Sequence, residues 1–305
     1  MGFLEMSNKN LIVKDNRLIE ACYRLDTTEQ RLILLAIVQA RDSGITITSD
    51  EWIEVTALRY ADVCGLDRTT AYRQLKTAAD SLFMRWVQMR GIDSKTGKDG
   101  VIKTRWVSAC TYVENSALVR LRIAPDIIPY ITDLQSCFTS YQLKNVAQMS
   151  SRYAIRLYEL LAQYRSIGSR YMSLSDLKDY LDANDKAYNL LHNFKKKVLL
   201  ISVDQINLYT DLSVNFDPKK EGKTIVGYNF TIDQKTVEKP KPSKKPKSSP
   251  APLASPPLLP QGLSTAERAL LRDKQKAHPD LTESSVIELA RAQGTDVYLY
   301  LASLK

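Results

Sequence analysis

The sequence predicts an α+β protein made of one repeated supersecondary unit, then a cationic spacer and a small helical end. Three observations carry that expectation. Helix-start residues followed by apolar runs recur in the same order twice, about 120 residues apart. Eight of the 12 prolines crowd between Pro240 and Pro260. Helix-capping residues return only after that stretch. At 305 residues, 44% hydrophobic and 25% charged, the chain has the composition of a soluble protein with room for two domains.

In the first unit, Thr27-Thr28-Glu29-Gln30 has capping-box spacing before Arg31-Leu32-Ile33-Leu34-Leu35-Ala36-Ile37-Val38. That run is apolar nearly all round, so the helix it forms should be buried. A short β-rich piece covers 52–55. Thr56 caps a helix over 57–64, Gly65 stops it, and Asp67 caps the next, from Arg68 to about Arg85. Two strands follow at 86–90 and 101–113, joined by the Gly/Lys/Asp-rich turn 91–100, and a third runs 117–123.

The second unit starts at Ser151, which caps a helix over 152–161. A short strand around Tyr171-Met172 comes next, then a helix at 174–181 with Ser173 as its cap. The turn 182–185 leads into a third helix from Lys186 to about Thr210. Strands 213–216 and 224–232 close the unit around the turn 217–223. Helix, strand, helix, turn, helix, hairpin is the order of a winged helix. The body is therefore expected to hold two winged-helix domains in tandem, at 25–138 and 139–233, after an N-terminal arm at 1–24.

Six lysines (235, 239, 241, 244, 245, 247) against Glu238 make the segment 234–262 strongly basic. Proline fixes φ and donates no hydrogen bond, so this should be a disordered, extended linker. A cationic spacer of this kind can also slide on nucleic-acid phosphates. In the tail, 263–305, Ser264-Thr265-Ala266-Glu267 has capping-box spacing, His278-Pro279 marks a break, Thr282 can cap a second helix and Gly294 should end it. Two or three short helices are expected there.

The 43 Lys+Arg exceed the 34 Asp+Glu by nine, which points to a polyanionic partner. Residues 234–305 hold 12 cations against 7 anions, leaving 31 against 27 in the body. Affinity of the body for DNA must then come from where its charges sit. No window reaches the ~18 apolar residues of a membrane span, and the N-terminus lacks the pattern of a signal peptide. Cys22, Cys64, Cys110 and Cys137 form no CxxC pair and read as reduced thiols of a cytoplasmic protein. With only His192 and His278, neither a His-hydrophobic-His metal pair nor a serine–histidine triad assembles. No catalytic residue, metal site or cofactor is expected. Gly222-Lys223-Thr224 invites a phosphate-loop reading, but Walker A needs a glycine at position 217, which is Asp.

In a helix-turn-helix, one stripe of the last helix packs inward while the other enters the major groove. In the first unit Ala71, Leu75, Ala78, Ala79 and Leu82 make the core stripe, opposite Arg68, Thr69, Tyr72, Arg73 and Lys76. In the second, the stripe is Ala187, Leu190, Leu191, Phe194, Val198 and Ile201. Lys186, Asn189, Asn193, Lys196 and Lys197 lie largely opposite, flanked by Tyr188, His192 and Lys195. Asn can pair bidentately with adenine, and Lys can contact guanine or phosphate. Such a basic helical face is often only solvated, but here one follows each helix-turn unit. Both expected wing tips are cationic: Ser94-Lys95-Thr96-Gly97-Lys98, and Lys219, Lys220 and Lys223.

The runs Arg156-Leu157-Tyr158-Glu159-Leu160-Leu161-Ala162-Gln163-Tyr164-Arg165, Tyr188-x5-Phe194-Lys195-Lys196-Lys197-Val198-Leu199 and Ile206-Asn207 resemble theta-type plasmid replication initiators, the iteron-binding Rep proteins. Asn10-Leu11-Ile12-Val13-Lys14, Thr28-Glu29-Gln30-Arg31 and Ala71-Tyr72-Arg73-Gln74-Leu75-Lys76 extend the likeness over about 8–233. The resemblance implies an initiator that binds repeated origin sites, helps open the duplex and recruits the host initiator, helicase and polymerase. It implies a main DNA grip in the second domain, hence Lys195, Lys196 and Lys197. It also implies DNA contacts and self-association into a dimer through the first domain, the dimer repressing its own gene. Lysine stands where arginine is common in the basic triplet, which keeps the charge without the bidentate geometry. A winged-helix transcriptional regulator without a replication role would share the fold features; genetic context separates the two.

Overall fold

The computed structural model describes residues 9–92, 97–113, 116–132, 134 and 136–235, with Leu271, Thr282 and Val286 beyond them. Residues 1–239 and 240–305 form two units. Most of the linker and tail therefore lies outside the described residues. In the second unit Leu271 and Val286 are helical and buried. The Val286 N–H donates to the Thr282 carbonyl at 3.1 Å.

In chain order the first half contains β1 (Leu11–Asp15), α1 (Asn16–Ile19), β2 (Cys22–Tyr23) and α2 (Thr27–Asp42). Then come β3 (Ile53–Thr56), α3 (Ala57–Cys64), α4 (Arg68–Leu82), β4 (Trp86–Ile92) and β5 (Asp99–Arg105). It closes with β6 (Val107–Val113), β7 (Leu118–Ile123), β8 (Phe138–Gln142) and α5 (Lys144–Ala147). The second half runs α6 (Arg152–Ala162), β9 (Ser169–Ser173), α7 (Leu174–Tyr180) and a 3₁₀ turn at Lys186–Tyr188. It continues through α8 (Leu191–Phe194), a π-helical segment Lys195–Leu200 and α9 (Ile201–Tyr209) to β10 (Leu212–Glu221) and β11 (Thr224–Gln234).

Residues 11–24 are not a free arm. β1 pairs antiparallel with β8, Ile12 opposite Tyr141 and Lys14 opposite Thr139, and Ile12, Leu18 and Ile19 are fully buried. The Asp15 carboxylate caps α1 by accepting from the Arg17 N–H at 2.7 Å. As expected, α2 is the central core helix, with Leu32 to Val38 all buried. Each Leu, Ile and Val among them contributes roughly 1.5–3 kcal/mol through its removal from water. Its cap is Asp26, one residue before the expected Thr27. The Glu29 carboxylate accepts from the Asp26 N–H at 2.7 Å, while the Gln30 amide instead donates to the Leu25 and Arg152 carbonyls.

The long strand expected over 101–113 breaks at Trp106. β5 belongs to a sheet of order β2–β4–β5, whereas β6 belongs to one of order β3–β7–β6. Trp106 is buried at the corner, edge-on to Tyr23 with centroids 4.8 Å apart. The second half has a sheet of order β9–β11–β10. In both halves, then, the strand before the helix-turn-helix pairs with the last strand of a hairpin. The wing of the first domain is thus β6–β7, and β4–β5 is an additional hairpin. That corrects the first expected wing tip: 94–98 belongs to the added hairpin, and Ser94, Lys95 and Thr96 lie outside the described residues.

In the second sheet β11 crosses β9 so closely at Gly227 that a Cβ there would stand 2.4 Å from the Met172 carbonyl oxygen and 2.8 Å from the Tyr171 ring. Backbone oxygen cannot move aside cheaply. Gly227→Ala is expected to cost the fold about 1–3 kcal/mol, as overpacking does, read from the urea unfolding midpoint.

The third helix of the second unit is not continuous from Lys186. Leu190 is extended (φ −75°, ψ 117°), so the helix proper begins at Leu191. Ala187 and Leu190 are consequently exposed, against expectation, with Leu190 at 69%. The π segment inserts a residue into the helical repeat. The buried stripe therefore runs Phe194, Val198, Leu199, Val203, Ile206, and Ile201 turns to solvent at 42% exposure.

α6 is buried from Ala154 to Ala162 and holds the charged centre of the core. Lys14 Nζ donates to Glu159 Oε1 at 2.6 Å, and Arg156 donates to Glu159 Oε2 at 3.1 Å. Arg156 also donates to the Ile19 and Ala21 carbonyls, to the Tyr180 carbonyl and to the Tyr23 hydroxyl, while Tyr141 donates to Glu159. Arg170 on β9 reaches Glu20 at 2.6 Å. One ionic cluster thus ties the N-terminal strand, β8, α6 and α7 together. Burial lowers the Lys14 amine despite the Glu159 attraction. Burial alone would raise the Glu159 carboxyl, but Lys14 and Arg156 outweigh it and hold Glu159 below the ordinary carboxylate value.

Candidate nucleic-acid interface

α3 and α4 form the first helix-turn-helix. The Thr56 hydroxyl accepts from the Arg59 N–H at 3.2 Å, starting α3. Gly65 ends it at φ +65°, a left-handed conformation that glycine adopts without a Cβ clash. The Asp67 carboxylate accepts from the Thr70 N–H at 2.9 Å, starting α4, and hydrogen bonds from the Thr70 hydroxyl first and its N–H second lower the Asp67 pKa. Ala71, Leu75, Ala78, Ala79 and Leu82 are all buried, the stripe the spacing predicts. Arg68, Thr69, Arg73 and Lys76 are exposed on the other side. Tyr72 is half-buried and meets Tyr112 edge-on at 5.4 Å, with Lys76 Nζ 5.6 Å from the Tyr112 ring. This packing stiffens the outer face without covering Arg68 or Thr69.

Beside the first turn of α4 lies a concavity of about 430 Å³, lined by Ala57, Leu58, Arg68, Thr69, Tyr72 and Ala117. Leu58 is half-exposed at its rim. An apolar side chain next to Arg and Thr suits contact with a thymine methyl. Sequence reasoning missed Leu58, whose only signal is its position one residue into α3 on the outward side.

In the second unit Lys195, Lys196 and Lys197 are all exposed on the π segment. With Phe194 and Val198 both buried, Lys196, midway between them, points away from the core and the other two flank it. Lys195 Nζ lies 6.0 Å from the Phe216 ring of β10, so the helix and its wing meet there. The break at Leu190 separates the expected readers. Lys186 and Asn189 sit in and just after the 3₁₀ turn, outside the helix, and are exposed. Asn193 is on α8, where its side-chain amide donates to the Ala187 carbonyl at 3.3 Å and holds that turn down. Tyr188 is held from below: its hydroxyl shares a hydrogen bond with the Tyr153 hydroxyl at 3.2 Å, which with burial pushes the Tyr188 pKa up to about 12, and Lys178 donates to its carbonyl.

The second wing is β10–β11, with a bulge between Lys219 and Lys220. Glu221 pairs with Thr224, so Gly222 and Lys223 form a two-residue loop, with Gly222 at φ +60°. Glycine at the first loop position is what a tight hairpin turn requires. Lys219, Lys220 and Lys223 are exposed at this tip. Gly222-Lys223-Thr224 therefore joins two strands and does not open a helix.

All four cysteines are free thiols. Among the described residues, no group of three or more His, Cys, Asp or Glu is placed to hold a metal ion. No described helix is long and apolar enough to cross a membrane. What the geometry offers is two outward helical faces, each following a helix-turn unit and each beside a hairpin, with cations clustered on the second.

Comparison with known proteins agrees. Residues 11–162 match a family described as Initiator Replication protein, WH1, and residues 173–232 match Initiator Rep protein, WH2. A crystal structure of the Pi initiator protein in complex with iteron DNA is similar in fold, with a TM-score of 0.57 at 22% identity, covering 74% of this chain and 97% of that one. A replication initiation protein of Escherichia coli is 25% identical over 218 residues, which are 68% of this chain and 66% of that protein. An uncharacterized 27.6 kDa protein of Escherichia coli is 24% identical over 228 residues, 72% of this chain and 94% of that one. With two winged-helix domains matched in order across its body, the chain belongs to the initiator replication protein family.

Proposed function

We propose that the chain initiates plasmid replication by binding repeated origin sites, helping to open the duplex there and recruiting host replication proteins. The observation that carries this is the pair of reading faces on one chain, α4 in domain 1 and the helix from Leu191 in domain 2. Two such helices suit successive major grooves about one turn apart. The Pi initiator, a structural relative, is held on iteron DNA, which supports repeats as the target. Lys195, Lys196 and Lys197 supply the main grip, with Lys219, Lys220 and Lys223 touching phosphate from the wing. Arg68, Thr69, Arg73 and Lys76 contact the adjoining groove. Lys186 and Asn189 reach the backbone from the turn before the helix, and Asn193 positions that turn. Domain 1 also forms the dimer, which represses the chain's own gene. No catalytic step or cofactor enters this scheme. A plasmid carrying the origin repeats but lacking this gene should fail to replicate and regain replication when the gene is supplied in trans; replication without it would refute the proposal.

A further inference from the structure

The β4–β5 hairpin is additional to the three-stranded sheet that both domains share, and its outward face is unusual. Val87 and Met89 point into the core, while Trp86 on the same strand is 45% exposed. Beside it Phe83 is 42% and Met84 66% exposed. Lys103 Nζ stands 4.6 Å from the Trp86 ring, and the Arg105 guanidinium 5.3 Å from the Phe83 ring. Among the described residues neither cation is paired with a carboxylate. A large exposed apolar patch on a soluble protein marks a partner surface, and two cations without counter-ions make that partner anionic.

Flat aromatic rings interleaved with cations suit one polyanion in particular. Bases of a duplex are stacked on one another and cannot lie on a side-chain ring, whereas those of a single strand can. The patch also lies beyond the C-terminal end of α4. Fifteen residues of helix put it about 22 Å from Arg68, so a duplex read by the first turn leaves it open. We propose that this face binds single-stranded DNA, with bases stacked on Trp86 and Phe83 and phosphates held by Lys103 and Arg105. It goes beyond duplex recognition and would retain a strand that opening releases.

The test uses the full chain and two labelled probes, an oligo-dT strand of about 15 nucleotides and a duplex carrying the repeats, read by fluorescence anisotropy. Trp86→Ala should weaken single-strand binding about tenfold, and Lys103→Ala should lower its salt slope by about 0.7. Duplex affinity should stay within twofold of wild type for both. Trp86→Phe, which keeps a ring, should recover most of the loss and covers the case in which the alanine variant folds poorly. Tryptophan fluorescence should be quenched by oligo-dT in wild type and not in Trp86→Ala, because Trp106 is buried and Trp52 lies under Arg122 at 4.4 Å. The proposal is overturned by any of four results: no wild-type binding of oligo-dT, undiminished binding by Trp86→Ala and Lys103→Ala, a parallel fall in duplex affinity, or loss of self-association in sedimentation with single-strand affinity unchanged. The last would make the patch an interface between copies.

Discussion

Glu159→Gln is expected to destabilise the body by about 3–5 kcal/mol, the usual cost of removing one partner from a buried ion cluster. Among the described residues Glu159 is the sole carboxylate paired with Lys14 and Arg156, and all three side chains are nearly inaccessible to water. Glutamine keeps an oxygen for one donor but removes the charge, which leaves two cations buried together. For a body of this size such a loss corresponds to roughly a 10 °C fall in the melting temperature. The pH dependence follows from the direction of the shift. Glu159 titrates lower in the folded chain than in the unfolded one, so its contribution is full above the unfolded carboxylate value of about 4.3. It is lost as pH falls through the folded value. The stability gap between wild type and Glu159→Gln should therefore be widest near neutrality and narrow in acid. A gap under 1 kcal/mol at pH 7 in urea titrations would mean the cluster is not coupled as the geometry implies.

Replacing Lys195, Lys196 and Lys197 together by alanine should cut duplex affinity on the order of 100-fold at moderate salt. The salt slope should fall by up to ~2.7, at about 0.9 per phosphate contact. All three are exposed, so the melting temperature should hardly move, as for most surface substitutions. That combination separates a DNA grip from a structural role. Triple arginine replacement should keep the slope, since charge alone sets it. Filter binding across a salt series reads both quantities.

Much of this architecture was legible in the sequence where one local signal dominates. Thr56, Gly65 and Asp67 bracket α3 and α4 at the expected residues, because capping and left-handed glycine are decided within a few residues of chain. The buried stripe of α4 follows for the same reason. Where the outcome depends on distant partners, the sequence misled. A run of β-branched residues from 101 to 113 looks like one strand, and only the consecutive inward side chains Trp106 and Val107 mark the change of sheet. The segment 1–24 reads as an N-terminal arm, and nothing local shows that Lys14 is buried; its partner Glu159 lies 145 residues further on. In the second reading helix, an α period from Lys186 predicts the outward face. The extended Leu190 and the π segment shift it, so Lys195–Lys197 keep their outward place while Ala187, Leu190 and Ile201 leave the core.

The central claim is that one chain reads duplex DNA with two helices. Hydroxyl-radical and methylation-interference footprints of the full chain on a single repeat test it most directly. The account predicts two major-groove patches on one face of the duplex, about 10 base pairs apart. Substitution of Arg68 and Arg73 should erase one patch, and substitution of Lys195–Lys197 the other. A single protected groove, unaffected by changes on α4, would contradict it.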